Sequence, residues 1–234
     1  MKKLISLTVL LSMLVVADNE IYIDQSGATA NIDVEQLGSS NLIGGLDAVT
    51  GSMTALDLDG DNLTLILNQI GDYNKFLGDI WADTLTASFD FDGDSNEFTI
   101  QIDPTNTYGA AGSNLDIDVT GSSNDFTLDI ATNDLASALD LDWIINGDSN
   151  VFDFDIDIDS ATSYVDIDGD SNSVTYDGDG YANGYFYLDQ TGNSRTFNIQ
   201  QQSTLASDWL KIISSGSNGT VCVIQNDSGT STSC

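Results

Sequence analysis

The chain has 234 residues, a formal net charge of -32, 41% hydrophobic residues and no histidine. A charge of that sign is repelled by nucleic-acid phosphates and by anionic membranes, and without histidine there is no Ser-His-Asp triad. Apolar residues in regular alternation argue against the disorder that so acidic a composition otherwise signals.

The N-terminus reads "MKKLISLTVLLSMLVVADNE", with Lys2 and Lys3 ahead of an apolar run from Leu4 to Val16. That pattern predicts a secretory signal peptide over 1–17, cut after Ala17. The run is shorter than the ~20 residues that span a bilayer. The predicted mature chain, 18–234, is an exported single domain, extracellular or at the cell surface by way of the periplasm, and long enough for one sizeable core. Its only basic side chains are Lys75, Arg195 and Lys211.

From Gln25 onward an 11-residue beat aligns Gln25, Gln36, Asp47, Leu58, Gln69, Ile80, Phe91 and Ile102, and Gly27, Gly38, Gly60, Gly71 and Gly93 follow two places later. The beat returns at Val119 with Gly121, Ile145 with Gly147, Ile167 with Gly169, and Gln190 with Gly192. Between these points residues alternate with period two: "ASFDFDG" puts Ala87, Phe89 and Phe91 on one face and Ser88, Asp90 and Asp92 on the other. Strand, turn, strand, turn in ~22 residues describes one coil of a flattened solenoid whose backbone stacks on the next coil ~4.8 Å away. The fold class expected is therefore all-β, a two-sheet β-solenoid of about nine stacked coils.

The recurring "GDSN" and "GSSN" segments have the composition of tight turns. Catalysis by Ser95, Ser149 or Ser171 lacks a base partner. A calcium site is the sharper alternative, with Asp166, Asp168, Asp170 and Asn172 as oxygen ligands, but Gly169 falls at the wrong loop position for an EF-hand. Weak, non-specific binding of calcium or other cations to a solvated acidic face is the plainer expectation, and no cofactor is expected. Outward acids are expected to stack coil on coil: Asp57 and Asp59, Asp90 and Asp92, Asp140 and Asp142, Asp153, Asp155 and Asp157, Asp166 and Asp168. Each like-charged pair at that spacing would repel by ~0.9 kcal/mol in water.

Two coils are longer, "DPTNTYGAAGSN" around Pro104 and "ATNDLASALD", and are expected to bulge at the edge opposite the GDSN turns; the second is expected to hold a helical turn near Ala136. At the C-terminus Cys222 and Cys234 are expected to pair, as an exported chain allows, and to shield the last coil.

In its first coil, "IYIDQSGATANIDVEQLGSSN", the chain resembles curlin, the secreted subunit of curli amyloid fibres, whose repeat runs Gln-x-Gly-x-x-Asn-x-Ala-x-x-x-Gln. The match rests on Gln25, Gly27 and Gln36; on Gln36, Gly38 and Asn41; on Gln69, Gly71 and Asn74; and on Gln190 and Gly192 with Gln201. Middle coils keep Gly93 and Asn96, Gly121 and Asn124, Gly147 and Asn150, and Gly169 and Asn172, but exchange the first Gln for Phe91, Val119, Ile145 and Ile167, and Arg195 replaces an Asn. The resemblance implies a divergent acidic curlin-like subunit or nucleator of extracellular fibres in adhesion and biofilm formation. Its implied partners are copies of itself or related subunits through terminal coil edges, together with curli-type export machinery. An alternative is a monomeric or discretely oligomeric solenoid adhesin or viral fibre module, with calcium as a stabiliser. No enzymatic activity is expected, since the acids follow the repeat and form no unique cluster.

Overall fold

The computed structural model describes residues 20–46, 53–103, 112–130, 136–180, 184–203 and 209–226. Residues 1–17, Asp47, Pro104 and Cys234, on which several expectations rest, lie outside them. Apart from one short antiparallel pair, Gly45–Leu46 with Met53–Thr54, every strand pair is parallel and joins one coil to the next. The protein is an all-β parallel β-solenoid.

One ladder of pairs climbs through the strands Thr29–Leu37, Leu56–Ile70, Lys75–Asp92, Asn114–Thr120, Asp140–Asn146, Thr162–Asp168, Tyr185–Thr191 and Trp209–Ser215. The other climbs from the first half of Lys75–Asp92 through Glu97–Ile102, Asp125–Ile130, Val151–Ile156, Ser173–Gly180 and Thr196–Ser203 to Thr220–Asn226. Because Leu56–Ile70 and Lys75–Asp92 run unbroken around the edge between the faces, the ladders join into a single 17-stranded sheet.

Period-two alternation becomes alternating burial. In Asn114–Thr120 the pattern is exposed, buried, exposed throughout, with Leu115, Ile117 and Val119 inside and Asp116 and Asp118 outside. The inward side chains form one continuous core. Its middle is aromatic: the Phe91 and Phe98 rings stack at 3.9 Å, and Phe126 meets Trp143 edge-on at 4.5 Å. Phe and Trp have little helix preference and bury large areas, so the same residues favour strands and fill the core.

The coils are not uniform. Equivalent turn asparagines are separated by 33, 22, 28, 26 and 22 residues along the chain. The longest step comes from an excursion between Ile43 and Leu56, which pair with Phe76 and Gly78, two places apart on the same neighbouring strand. A fixed 22-residue period does not foresee that excursion. The helical turn expected near Ala136 is also corrected: Ala136–Ser137 is a short strand paired in parallel with Ile158–Asp159. Pairing with that one parallel neighbour holds this segment extended, which overrides the helix preference of Ala.

Candidate functional site

Three features of the stacked coils bear on function: the turn column, the inward glutamine positions and the two ends. Every GDSN-type turn is built alike. Glycine at the first position has φ between 127° and 151° from Gly38 to Gly216, and the third residue is left-handed, as in Ser95 and Ser149 with φ 60°. Ser95, Ser149 and Ser171 are exposed turn residues that hold this left-handed backbone conformation. A β-carbon on Gly147 would lie 1.8 Å from the carbonyl oxygen of Gly121, so glycine is needed for the coils to approach as well as for φ.

Behind the glycines runs a buried asparagine ladder. The main-chain N–H of Asn41 donates to Oδ1 of Asn74 at 3.0 Å, and the series continues through Asn96, Asn124 and Asn150 to Oδ1 of Asn172 at 2.8 Å. Four of the six side-chain amides bond turn carbonyls, as Asn41 does to Gly38 at 2.8 Å and Asn172 to Gly147 at 2.9 Å, while those of Asn96 and Asn124 are buried without a partner. Arg195 takes the next position, 6% exposed, and has no amide oxygen, so the ladder stops; its guanidinium donates to the carbonyls of Gly192 and Ser215. Outside the turn a second ladder runs the other way: Oδ1 of Asp72 accepts from Asp94 N–H at 2.8 Å, and Oδ1 of Asp170 accepts from Asn193 N–H at 2.6 Å.

These ladders answer the calcium alternative for "DIDGDSN". Asn172 is buried, its Oδ1 accepting from Asn150. Oδ1 of Asp170 is bonded to the next coil, while Asp166 and Asp168 project from the strand. The four side chains do not converge. Among the described residues no group of three or more His, Cys, Asp or Glu is placed to hold a metal ion.

Glutamines stand at or next to both ends of two inward columns. One column reads Gln36, Gln69, Phe91, Val119, Ile145, Ile167, Gln190, Ser214, and the other Gln25, Leu58, Ile80, Ile102, Ile130, Ile156, Gly178, Gln201, Gln225. Adjacent glutamines bond in the same direction: Gln69 Nε2 donates to Gln36 Oε1 at 3.0 Å, and Gln225 Nε2 to Gln201 Oε1 at 3.4 Å. Where glutamine would be enclosed by apolar neighbours, Phe, Val and Ile stand instead, which avoids burying an unpartnered amide.

The acidic columns meet the expectation in part, and Asp142 stacks on Asp116. Asp24, Asp57 and Asp79 do stack, as do Asp90 with Asp118 and Asp166 with Asp189. Asp140, however, lies between Asn114 and Thr162, Asp59 opposes Trp81, and Ile144 separates Asp118 from Asp166. On the other face Asp129, Asp155 and Asp177 stack as three consecutive carboxylates, with an amide at each end of the run, Gln101 donating to Asp129 and Gln200 to Asp177, each at 3.2 Å. Burial first, then neighbouring carboxylates, raise Asp57, Asp118 and Asp166 above the ordinary aspartate range.

At the N-terminal end the inward Ile21, Ile23, Ala30 and Ile32 are half-buried, and at the other end so are Leu210 and Ile212. Inward Val221 and Val223 are 47% and 39% exposed, although Phe197 and Ile199, one coil below, are fully covered. Cys222 is disulfide-bonded, yet within the described residues no strand covers Thr220–Asn226. The comparison with known proteins gives no match: no family model, no curated protein and no solved structure is similar to this chain. The strand pairing shows the solenoid, and the likeness to curlin rests on the repeat residues alone.

Proposed function

We propose that the chain is a secreted structural protein, a curlin-like subunit or nucleator whose terminal coils stack on those of other copies to build extracellular fibres for adhesion and biofilm formation. In this reading residues 1–17 are a cleaved signal, curli-type machinery exports the rest, about nine two-sheet coils form the mature unit, and the protein works without catalysis. One observation carries it: the two ends are complementary. Ile21, Ile23 and Gln25 face inward at one end, and Val221, Val223 and Gln225 repeat that order at the other. Laying Gln25 of a second copy over Gln225 extends the apolar core and the glutamine column in the direction the glutamines already use. Charge favours the same junction. The first coil carries Glu20, Asp24, Asp33 and Glu35, whereas Trp209–Ser215 and Thr220–Asn226 carry no acid and one cation, Lys211. Like ends of the acidic coil repel, and unlike ends do not.

The test is electron microscopy of residues 18–234 diluted from denaturant into low and high salt, with fibre diffraction of any product. Unbranched fibres with a ~4.8 Å meridional repeat, forming faster at high salt because the Asp columns are screened, are the expected result. Monodisperse single solenoids at every salt concentration would overturn self-assembly and favour an adhesin or fibre-tip module.

A further inference from the structure

The outward side of Asp140–Asn146, Thr162–Asp168 and Tyr185–Thr191 differs from the rest of the acidic surface. Register places Asp142, Tyr164 and Tyr187 in one column and Ile144, Asp166 and Asp189 in the next. Between the columns lies an open groove of about 440 Å³ bounded by these six side chains. The Tyr164 and Tyr187 rings are 5.7 Å apart and tilted by 48°, and Tyr164 is 41% exposed. The Tyr187 hydroxyl donates to Oδ2 of Asp189 at 3.2 Å, fixing ring and carboxylate together. One coil further on, Lys211 sets its ammonium 4.8 Å from the Tyr187 ring centroid. The chain's own lysine thus already uses this aromatic column as a cation–π partner.

We propose that this groove binds lysine side chains of a basic polypeptide partner, each ammonium resting against the Tyr164 and Tyr187 rings and donating to Asp142, Asp166 and Asp189. The chemistry selects this occupant over the alternatives. The carboxylates are not gathered tightly enough to share a metal ion, whereas an ammonium on a four-carbon stem has three rotatable donors that reach separated acceptors. A neutral sugar would stack on the rings but leave the repulsion among Asp142, Asp166 and Asp189 in place. A second hollow of about 320 Å³ continues past Asn146, Asp168 and Thr191, giving the residues that follow a docked lysine further polar partners. A net charge of -32 draws basic chains from a distance.

The probe is a capped, fluorescently labelled pentalysine peptide, titrated against the full chain at about 0.15 M salt. Two charge-matched variants are compared: Asp166→Asn with Asp189→Asn in the groove, and Asp90→Asn with Asp92→Asn on the same face outside it. A third, Tyr164→Leu with Tyr187→Leu, removes the rings and leaves net charge unchanged. The expected result is at least ~10-fold weaker binding for both groove variants and under ~2-fold for the distal one, with peptide-induced shifts of the Tyr164 and Tyr187 ring resonances in the parent chain. Equal weakening by the two charge-matched pairs would overturn the site in favour of a diffuse field. Ring resonances moved by a neutral oligosaccharide and unmoved by the peptide would overturn the choice of ligand.

Discussion

At a single turn, one missing carbon decides whether two coils can stack. Gly147 has φ 151°, and its pro-β-carbon direction points at the Gly121 carbonyl, 1.8 Å from where a methyl group would sit. Gly147→Ala therefore carries both a left-handed strain of ~1–3 kcal/mol and a backbone clash that only separation of the coils can relieve. Gly112, with φ 71° and open space around it, isolates the first effect from the second. Urea unfolding should show Gly112→Ala destabilised by ~1–2 kcal/mol and Gly147→Ala by clearly more, with a changed unfolding slope if the coil parts locally. Equal losses would mean that the turn column bends freely and that glycine serves φ alone. The turn asparagines from Asn74 to Asn172 work by other means, each closing a neighbouring N–H that would otherwise be buried unbonded, a deficit of ~1–3 kcal/mol per group.

Across strands, the alternation of "SFDFDGDSNEFTIQID" was enough to read two strand faces and a turn, and the structure places Phe89, Phe91, Phe98, Ile100 and Ile102 inside as that reading requires. Which residue lies above which was not legible, because the steps of 33, 22, 28, 26 and 22 residues break any fixed offset. Asp140 could not be assigned its neighbours Asn114 and Thr162 without knowing how many residues leave each coil at the far edge. The asparagines were legible as repeat positions but not as a ladder, since a residue of turn composition gives no sign that its amide reaches the next coil. Where acids do stack, a pH dependence follows. Burial and then Asp116, Asp90 and Asp142 raise Asp118, and burial and then Asp189, Asp168 and Asp142 raise Asp166. A carboxyl raised by folding binds its proton more tightly in the native state, so stability increases as pH falls from neutral through the window just above the ordinary aspartate range. Urea midpoints at about pH 7 and about pH 5 should show the acid condition more stable, and Asp118→Asn with Asp166→Asn should flatten that slope while stabilising the chain at neutral pH. A midpoint that falls on acidification would mean that favourable carboxylate bonds, such as Asp72 to Asp94 N–H, outweigh the repulsion.

For the whole molecule, hydrogen-bond direction at the two ends fixes the polarity that the proposed assembly would have. Ile21 and Ile23 turn their carbonyls to Gly44 and Asp57 in the second coil. Successive residues of a parallel strand address opposite neighbours, so Tyr22 and Asp24 direct their main-chain groups off the N-terminal end. At the other end Thr220 donates inward to Arg195, which leaves Val221 and Val223 directing theirs off the C-terminal end. Proline at an outward-directed position deletes the N–H that a second copy would use and spares the internal ladder. Asp24→Pro and Val223→Pro should therefore each fold as single solenoids and fail to elongate alone. Mixed in equal amounts, they should form a heterodimer and stop, since the intact C-terminal end of Asp24→Pro meets the intact N-terminal end of Val223→Pro, and both free ends of the product are blocked. Sedimentation velocity of each variant and of the mixture distinguishes the geometries. If like ends joined, each variant would dimerise through its intact end without the other and the mixture would add nothing, and the junction of Gln225 with Gln25 would be the wrong one.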